Sequence, residues 1–463
     1  MPAPILHRRF RTVALLAVPI LVAAAPVAAQ PRTPPAGTLD SLVSANLARD
    51  RTVGAVVAIT RGDDVLFLQP YGRADVESGV EMRTDAVFAI GSITKQFTAA
   101  AILLLRDEGK LSLDDDVTKW LPDFPAGGAR LPLRRLLDHT SGIPSVPELT
   151  PLRFDPNASP DSVYAAIRRH PPRFAPGAAQ MYSNRAYWLL HRVIERASGM
   201  TYPQYLERMI FGPLGMTGSG LCPGAPGLPR ATGYGVRGGE TRRAPPIVPV
   251  VDLGSGAVCS TAADMATWLR ALHGGRVLSE ASYAEMVRPA TLADGTPLRY
   301  GLGVEVRADA RGNRYVGHSG EITGYAARAN WYPDARMAIV VLMNSSFDSS
   351  PTTLVDELAG QLLPGTPPAP RPFTGDAEAL AGTYGTTDGG PAAVQVTRAP
   401  DGLAISVDGG AAQPLAWVEG LTFSRGSTLL TFRRGDGDRG PVTELRYDTG
   451  TEYWILTANP GRP

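Results

Sequence analysis

Cysteine is nearly missing: Cys222 and Cys259 are the only two in 463 residues. Two thiols build neither a zinc cluster nor a disulfide framework. Lone cysteines usually sit buried as small apolar groups, so two buried thiols are expected, with a bridge as the alternative if the chain is exported. Net charge is missing too, with 45 Lys and Arg against 44 Asp and Glu. No long-range field draws the chain toward nucleic acid or an anionic membrane, and no basic block resembles a nucleic-acid arm. Beyond the first thirty residues no run of about 18 apolar residues occurs, so no stable membrane insertion is expected. The six histidines are scattered, without His-Glu-x-x-His, which disfavours zinc hydrolysis, and no metal or other cofactor is expected. Gly-x-Ser-x-Gly is also absent, which disfavours the α/β-hydrolase fold. Lysine is the scarcest charge: Lys95, Lys110 and Lys119 are the only three, and arginine supplies the rest.

What is present begins with a leader. His7, Arg8, Arg9 and Arg11 precede an apolar stretch over 13–25, and Val27 and Ala29 suit cleavage before Gln30. Pro19 and Pro26 argue against a buried helix there, and the pattern predicts a signal peptide over 1–29 with a periplasmic or secreted product.

From residue 38 to 363 the periodicities alternate. A helix over 39–47 is followed by strands at 52–60 and 65–69 around the turn Arg61-Gly62-Asp63-Asp64. A helix over 92–108 stops at Gly109. Helices are expected at 159–169, 185–198, 202–210, 261–272 and 279–286. Strands return at 302–307, 315–318, 326–331 and 337–343, and a helix at 354–363 closes the segment. Strands at both ends with helices between predict one α/β domain whose sheet joins distant segments. Residues 364–375 are rich in Pro and read as a linker. Residues 376–463 carry short strand-like runs between Asp-Gly and Gly-Gly turns, predicting a small all-β domain, a barrel or a sandwich. A linker of this kind predicts that the tail separates from a first domain that folds without it.

Three short motifs carry candidate chemistry. Ser92-Ile93-Thr94-Lys95 opens the 92–108 helix, and spacing i, i+3 puts hydroxyl and amine on one face. A buried lysine can give up its proton, whereas arginine cannot, so Ser92 is the candidate nucleophile and Lys95 its base. Tyr182-Ser183-Asn184 precedes another helix. A nearby ammonium would favour the Tyr182 phenolate, which then takes the serine proton, and Asn184 suits a substrate amide. His318-Ser319-Gly320 ends a strand, where Gly320 would let a substrate backbone lie alongside. His139 reads as turn support.

In order and spacing the three motifs resemble those of the serine β-lactamase and penicillin-binding superfamily. The tyrosine motif is similar to the class C branch, which also holds D-Ala carboxypeptidases, D-aminopeptidases and esterases. Leu136 to Pro144, Phe211 to Met216 and Ser260 to Asp264 resemble recurring segments of that branch. The resemblance implies a five-stranded antiparallel sheet flanked by helices, an α/β (α+β) fold, with an all-helical subdomain. The tail from about 372 more faintly resembles lipocalin-like modules. It further implies that Ser92 is acylated, that Lys95 and Tyr182 move its proton, and that Asn184, His318, Ser319 and Gly320 bind substrate. The backbone N–H groups of Ser92 and Glu321 would form the oxyanion hole. Substrates would be small molecules or peptides with an amide or ester bond. A penicillin-binding sensor and a weak β-lactamase are the alternatives. His318 stands where β-lactamases typically carry lysine. A histidine that binds a substrate carboxylate in its protonated form would raise KM as pH climbs through about 6.5.

Overall fold

The computed structural model describes residues 35–458, apart from 146–148, 224–226, 238–239, 247, 348–349, 370, 387–389, 401 and 436–439. The expected signal peptide lies outside the described residues.

Strand β1 (Gly54–Arg61) is apolar on both faces: Ala55, Val57 and Ile59 point one way, Val56 and Ala58 the other, all buried. Such a strand must be covered on both sides. Its sheet continues with β2 (Asp64–Asp75), β3 (Val80–Glu81), β4 (Glu305–Ala308), β5 (Arg314–Ile322), β6 (Tyr325–Tyr332) and β7 (Met337–Met343), in the spatial order β3-β2-β1-β7-β6-β5-β4. Every neighbouring pair is antiparallel. The resemblance implied five strands, and the sheet has seven because short pieces extend both edges. Gly79, at φ 70°, turns the chain back so that Val80–Glu81 pairs with β2. Asp309 Oδ1 accepts the N–H groups of Arg311 and Asn313, closing the turn between β4 and β5.

The long helices are α1 (Ala36–Arg49), α2 (Thr94–Asp107), α3 (Asn184–Ser198), α4 (Ala262–His273) and α5 (Pro351–Leu362). Leu39, Val43 and Leu47 of α1 join Leu354, Val355 and Leu358 of α5 on one face of the sheet. On the other face α2 and α4 contribute Phe97, Ile102, Met265 and Leu269, and α3 adds Trp188 and Leu190 to the same core.

A small sheet sits beside the helices. Residues 258–260 pair with 88–89 on one side and 220–221 on the other. Here Cys222 and Cys259 form a disulfide, with Cα atoms 5.0 Å apart. The expectation of two buried thiols is met in burial and corrected in chemistry: pairing of 220–221 with 258–260 brings the two cysteines together across 37 positions of chain.

The tail is a closed eight-stranded antiparallel barrel: β8 (Gly382–Gly385), β9 (Val394–Ala399), β10 (Gly402–Val407), β11 (Gln413–Glu419), β12 (Thr422–Arg425), β13 (Thr428–Arg434), β14 (Val442–Asp448) and β15 (Tyr453–Ala458). Its core includes Ile405, Phe423, Phe432, Leu445 and Trp454, and takes in Ala179 and Met181 from the first domain. Gln180 and Tyr453 exchange both backbone hydrogen bonds, at 3.1 and 2.9 Å. Arg299 Nε donates to Asp448 Oδ2 at 2.7 Å. The barrel is therefore seated on the segment that leads into Tyr182.

Candidate active site

Ser92 lies in the tight turn Gly91–Ile93 that feeds α2. Ile90 donates its N–H to the Val258 carbonyl, so the turn is tied to the small sheet. Ser92 is partly open to solvent, while Lys95 is fully buried.

Lys95 Nζ has three partners: Asn184 Oδ1 at 2.7 Å, the Ser255 carbonyl at 2.8 Å and Ser92 Oγ at 3.1 Å. The first two can only accept. They occupy two N–H groups and leave the third direction of the amine aimed at the serine hydroxyl. A neutral amine there presents its lone pair to the Ser92 proton. Burial pushes the Lys95 pKa well below the ordinary lysine value; Asp252 opposes this and Arg185 adds to it. Arg153 grips the Asp252 carboxylate with two bonds of 2.8 and 2.9 Å, which disperses that opposing charge.

Tyr182 is half-buried, and the Ser92 side chain is the polar group that acts on its hydroxyl. Lys95 Nζ lies 4.7 Å from the ring centroid. The ammonium was expected to favour a phenolate, but burial dominates and drives the Tyr182 pKa upward. Tyr182 is thus a neutral phenol, able to give a proton rather than waiting to take one.

Two glycines bring the third motif to the serine. A Cβ on Gly320 would stand 2.0 Å from the Ile90 carbonyl oxygen, and one on Gly91 only 2.7 Å from the Glu321 nitrogen. The strand Ser319–Glu321 and the turn before Ser92 therefore touch backbone to backbone. This sets the Glu321 N–H beside the start of α2, where the oxyanion pair was expected. Gly320 owes its lack of a side chain to this internal contact, whereas the expectation had a substrate lying against it.

His318 also differs from expectation. It is 2% exposed, its Nδ1–H donates to the Ser319 carbonyl at 2.5 Å, and its Nε2 accepts from the Tyr300 hydroxyl at 2.8 Å. Burial lowers its pKa to about 4, with the Glu305 carboxylate opposing. A ring so held is neutral at physiological pH and has both nitrogens engaged. It shapes the strand under Ser319 and offers no cation to a carboxylate.

Sequence reasoning passed over Ser255, Tyr300 and Asp252, and gave His139 a lesser part. The Ser255 contribution is a backbone carbonyl, for which no residue type is a signal. Among the described residues no cluster of three or more His, Cys, Asp or Glu side chains is set to hold a metal. No helix among them is long and apolar enough to cross a membrane.

Known proteins resemble this chain over most of its first domain. Penicillin-binding protein 4* of Bacillus subtilis is 30% identical over 331 residues, spanning 68% of this chain and 73% of that protein. D-aminopeptidase of Brucella canis is 28% identical over 326 residues; the match covers 68% of this chain but 61% of the relative. Among solved structures, a D-stereospecific amidohydrolase from Streptomyces superposes with a TM-score of 0.61 at 28% identity, over 70% of this chain and 98% of that one. An octameric penicillin-binding protein homologue from Pyrococcus abyssi superposes with a TM-score of 0.64 over 91% of this chain and 99% of that one. At 23% identity, that last likeness speaks for the fold alone. Residues 39–361 match the family described as Beta-lactamase, and with that span covered the chain belongs to the β-lactamase and penicillin-binding superfamily of serine hydrolases.

Proposed function

We propose that the protein is an exported hydrolase that cleaves amides of D-amino acids or short D-peptides through an acyl-enzyme on Ser92. The carrying observation is the arrangement at Lys95, whose amine has two obligate acceptors and one remaining direction, toward Ser92 Oγ. Ser92 Oγ attacks the substrate carbonyl carbon while its proton passes to neutral Lys95 Nζ. Charge develops on the carbonyl oxygen, and the backbone N–H groups of Ser92 and Glu321 receive it; one such donor is worth about 3 kcal/mol. The C–N bond then breaks, the leaving amine takes the Tyr182 hydroxyl proton, and Lys95 returns a proton to Tyr182. Water hydrolyses the ester by the same steps in reverse. Asn184 and Ser319, both partly exposed, hold the substrate amide.

The D-configured amide is supported by the relatives, which include a D-aminopeptidase, a D-stereospecific amidohydrolase and the D-amino acid amidase of Ochrobactrum anthropi SV3. Export is supported by the leader over 1–29 and by the disulfide Cys222–Cys259, which persists in oxidising compartments.

The test is a panel on the mature protein: D- and L-phenylalanine amide, D-Ala dipeptide, a p-nitrophenyl ester and nitrocefin, each with Ser92→Ala as control. The D-amide should turn over fastest, and the control should be inactive on all five. Activity retained by Ser92→Ala, or an adduct on Ser92 that forms and never leaves, would sink the reading; the latter would point to a sensor.

A further inference from the structure

His139 binds the backbone on both sides of Tyr182. Met181 donates its N–H to the His139 carbonyl at 2.9 Å, and Ser183 donates its own to His139 Nδ1 at 3.1 Å. The imidazole lies against the Tyr182 ring, with centroids 4.3 Å apart, and Tyr187 and Tyr300 flank it at 5.1 and 5.0 Å. The residue is fully buried and holds φ at 63°, a conformation that side chains other than glycine seldom adopt. Nδ1 accepts an N–H, which requires a neutral ring with its proton on Nε2. Burial, reinforced by Lys95, keeps the ring neutral by pushing its pKa well below the usual value. A turn that needed only a left-handed residue would be served by glycine or asparagine. The imidazole adds an acceptor for one specific N–H and a flat wall for one specific ring.

We propose that His139 is a positioning residue of the reaction: through the Ser183 N–H and the face of the Tyr182 ring, its imidazole sets the Tyr182 hydroxyl against Ser92 without touching substrate. The inference rests on the acyl-enzyme reading above.

The experiment measures, in the full chain, the rate at which D-alanine p-nitroanilide labels Ser92 by acylating it, read as release of p-nitroaniline, a leaving amine that takes the Tyr182 proton, alongside the melting temperature. Three variants are compared. His139→Asn places Oδ1 where Nδ1 lies and tolerates the left-handed backbone. His139→Gln carries its amide outward to the Nε2 end, and His139→Leu fills similar space with no acceptor. Leaving the buried Ser183 N–H unpaired should slow labelling about tenfold or more in the Leu and Gln variants, and Asn should recover most of the rate. In a Tyr182→Phe background, where there is no hydroxyl to position, His139→Leu should cost less than about twofold further. Equal labelling of wild type and His139→Leu would overturn the proposal. So would Asn no faster than Gln, or losses that multiply in the double variant. Should His139→Leu fail to fold, the Asn and Gln pair decides by itself. Labelling that survives Ser92→Ala overturns the acyl-enzyme reading as well. Labelling lost in Ser92→Ala but indifferent to every His139 substitution overturns this inference alone.

Discussion

The proposed base, Lys95, serves only when its amine is neutral, and burial is what removes the proton. A base is active above its pKa, so kcat/KM should rise with pH through a limb well below lysine's ordinary 10.5. A profile on a neutral D-amide between about pH 5 and 10 checks this. A limb near 10.5 would describe an ordinary ammonium and remove Lys95 from the role. The same profile on a carboxylate substrate tests His318. Its pKa of about 4 leaves it neutral from about pH 6 to 8, so its titration should not move KM across that range. A KM that climbs through about pH 6.5 would mean the ring is protonated and turned to the substrate. The residue type at 318 is visible in the chain, but its charge is not. Charge follows from burial, which the fold imposes and which outweighs the opposing pull of the Glu305 carboxylate and the Ser319 carbonyl.

Backbone contact between the turn at Gly91 and strand β5 is what brings the elements of the site together. Gly320→Ala would force a Cβ to within 2.0 Å of the Ile90 carbonyl oxygen, so strand and turn must part. With the Glu321 N–H displaced, the acylation rate should fall by about a hundredfold to a thousandfold, as when an oxyanion donor is lost. Gly220→Ala is the control, since a Cβ there meets nothing within 4 Å. Stopped-flow acylation of both variants checks this, and a Gly320→Ala rate within about threefold of wild type would refute it. Elements of this kind were legible wherever the cause is local. The Ser92–Lys95 spacing is a property of one helix turn, and Asp408-Gly409-Gly410 marks the turn between β10 and β11 of the barrel. The two-residue strand β3 was not legible, because a piece that short has no period of its own. Nor was the Cys222–Cys259 bridge, which depends on two strands meeting far apart in the chain. His139 was read as part of a turn, and it is. Its grip on Tyr182 arises only in three dimensions.

In the whole molecule the barrel and the first domain share a core. Removing the barrel would strip cover from Ala179 and Met181, 8% and 7% exposed in the full chain, and would unpair Gln180 from Tyr453. The Pro-rich stretch at 364–375 suggested a detachable tail, but the contact made by β15 lies two residues from Tyr182. A chain ending at residue 369 should retain the main sheet and still label at Ser92, at a rate reduced at least about tenfold as the Tyr182 segment loosens. Comparing acylation by D-alanine p-nitroanilide, whose leaving amine takes the Tyr182 proton, in the full and shortened proteins checks this; equal rates would show that the barrel does not brace the site. The central pair β1–β7 carries a further consequence, for the order in which a ribosome makes the chain. Ala55 lies opposite Met343, about 290 residues later. The first hairpin, β1–β2, emerges early with one long edge unpaired, and its partner strand is among the last parts of the first domain to be synthesised. β5, which carries Glu321, and β15, which holds Gln180, also arrive late. No nascent fragment that stops short of β7 can therefore contain the finished sheet. Ser92 is made in the first quarter of the chain and waits, as an ordinary serine, until nearly all of the rest has followed.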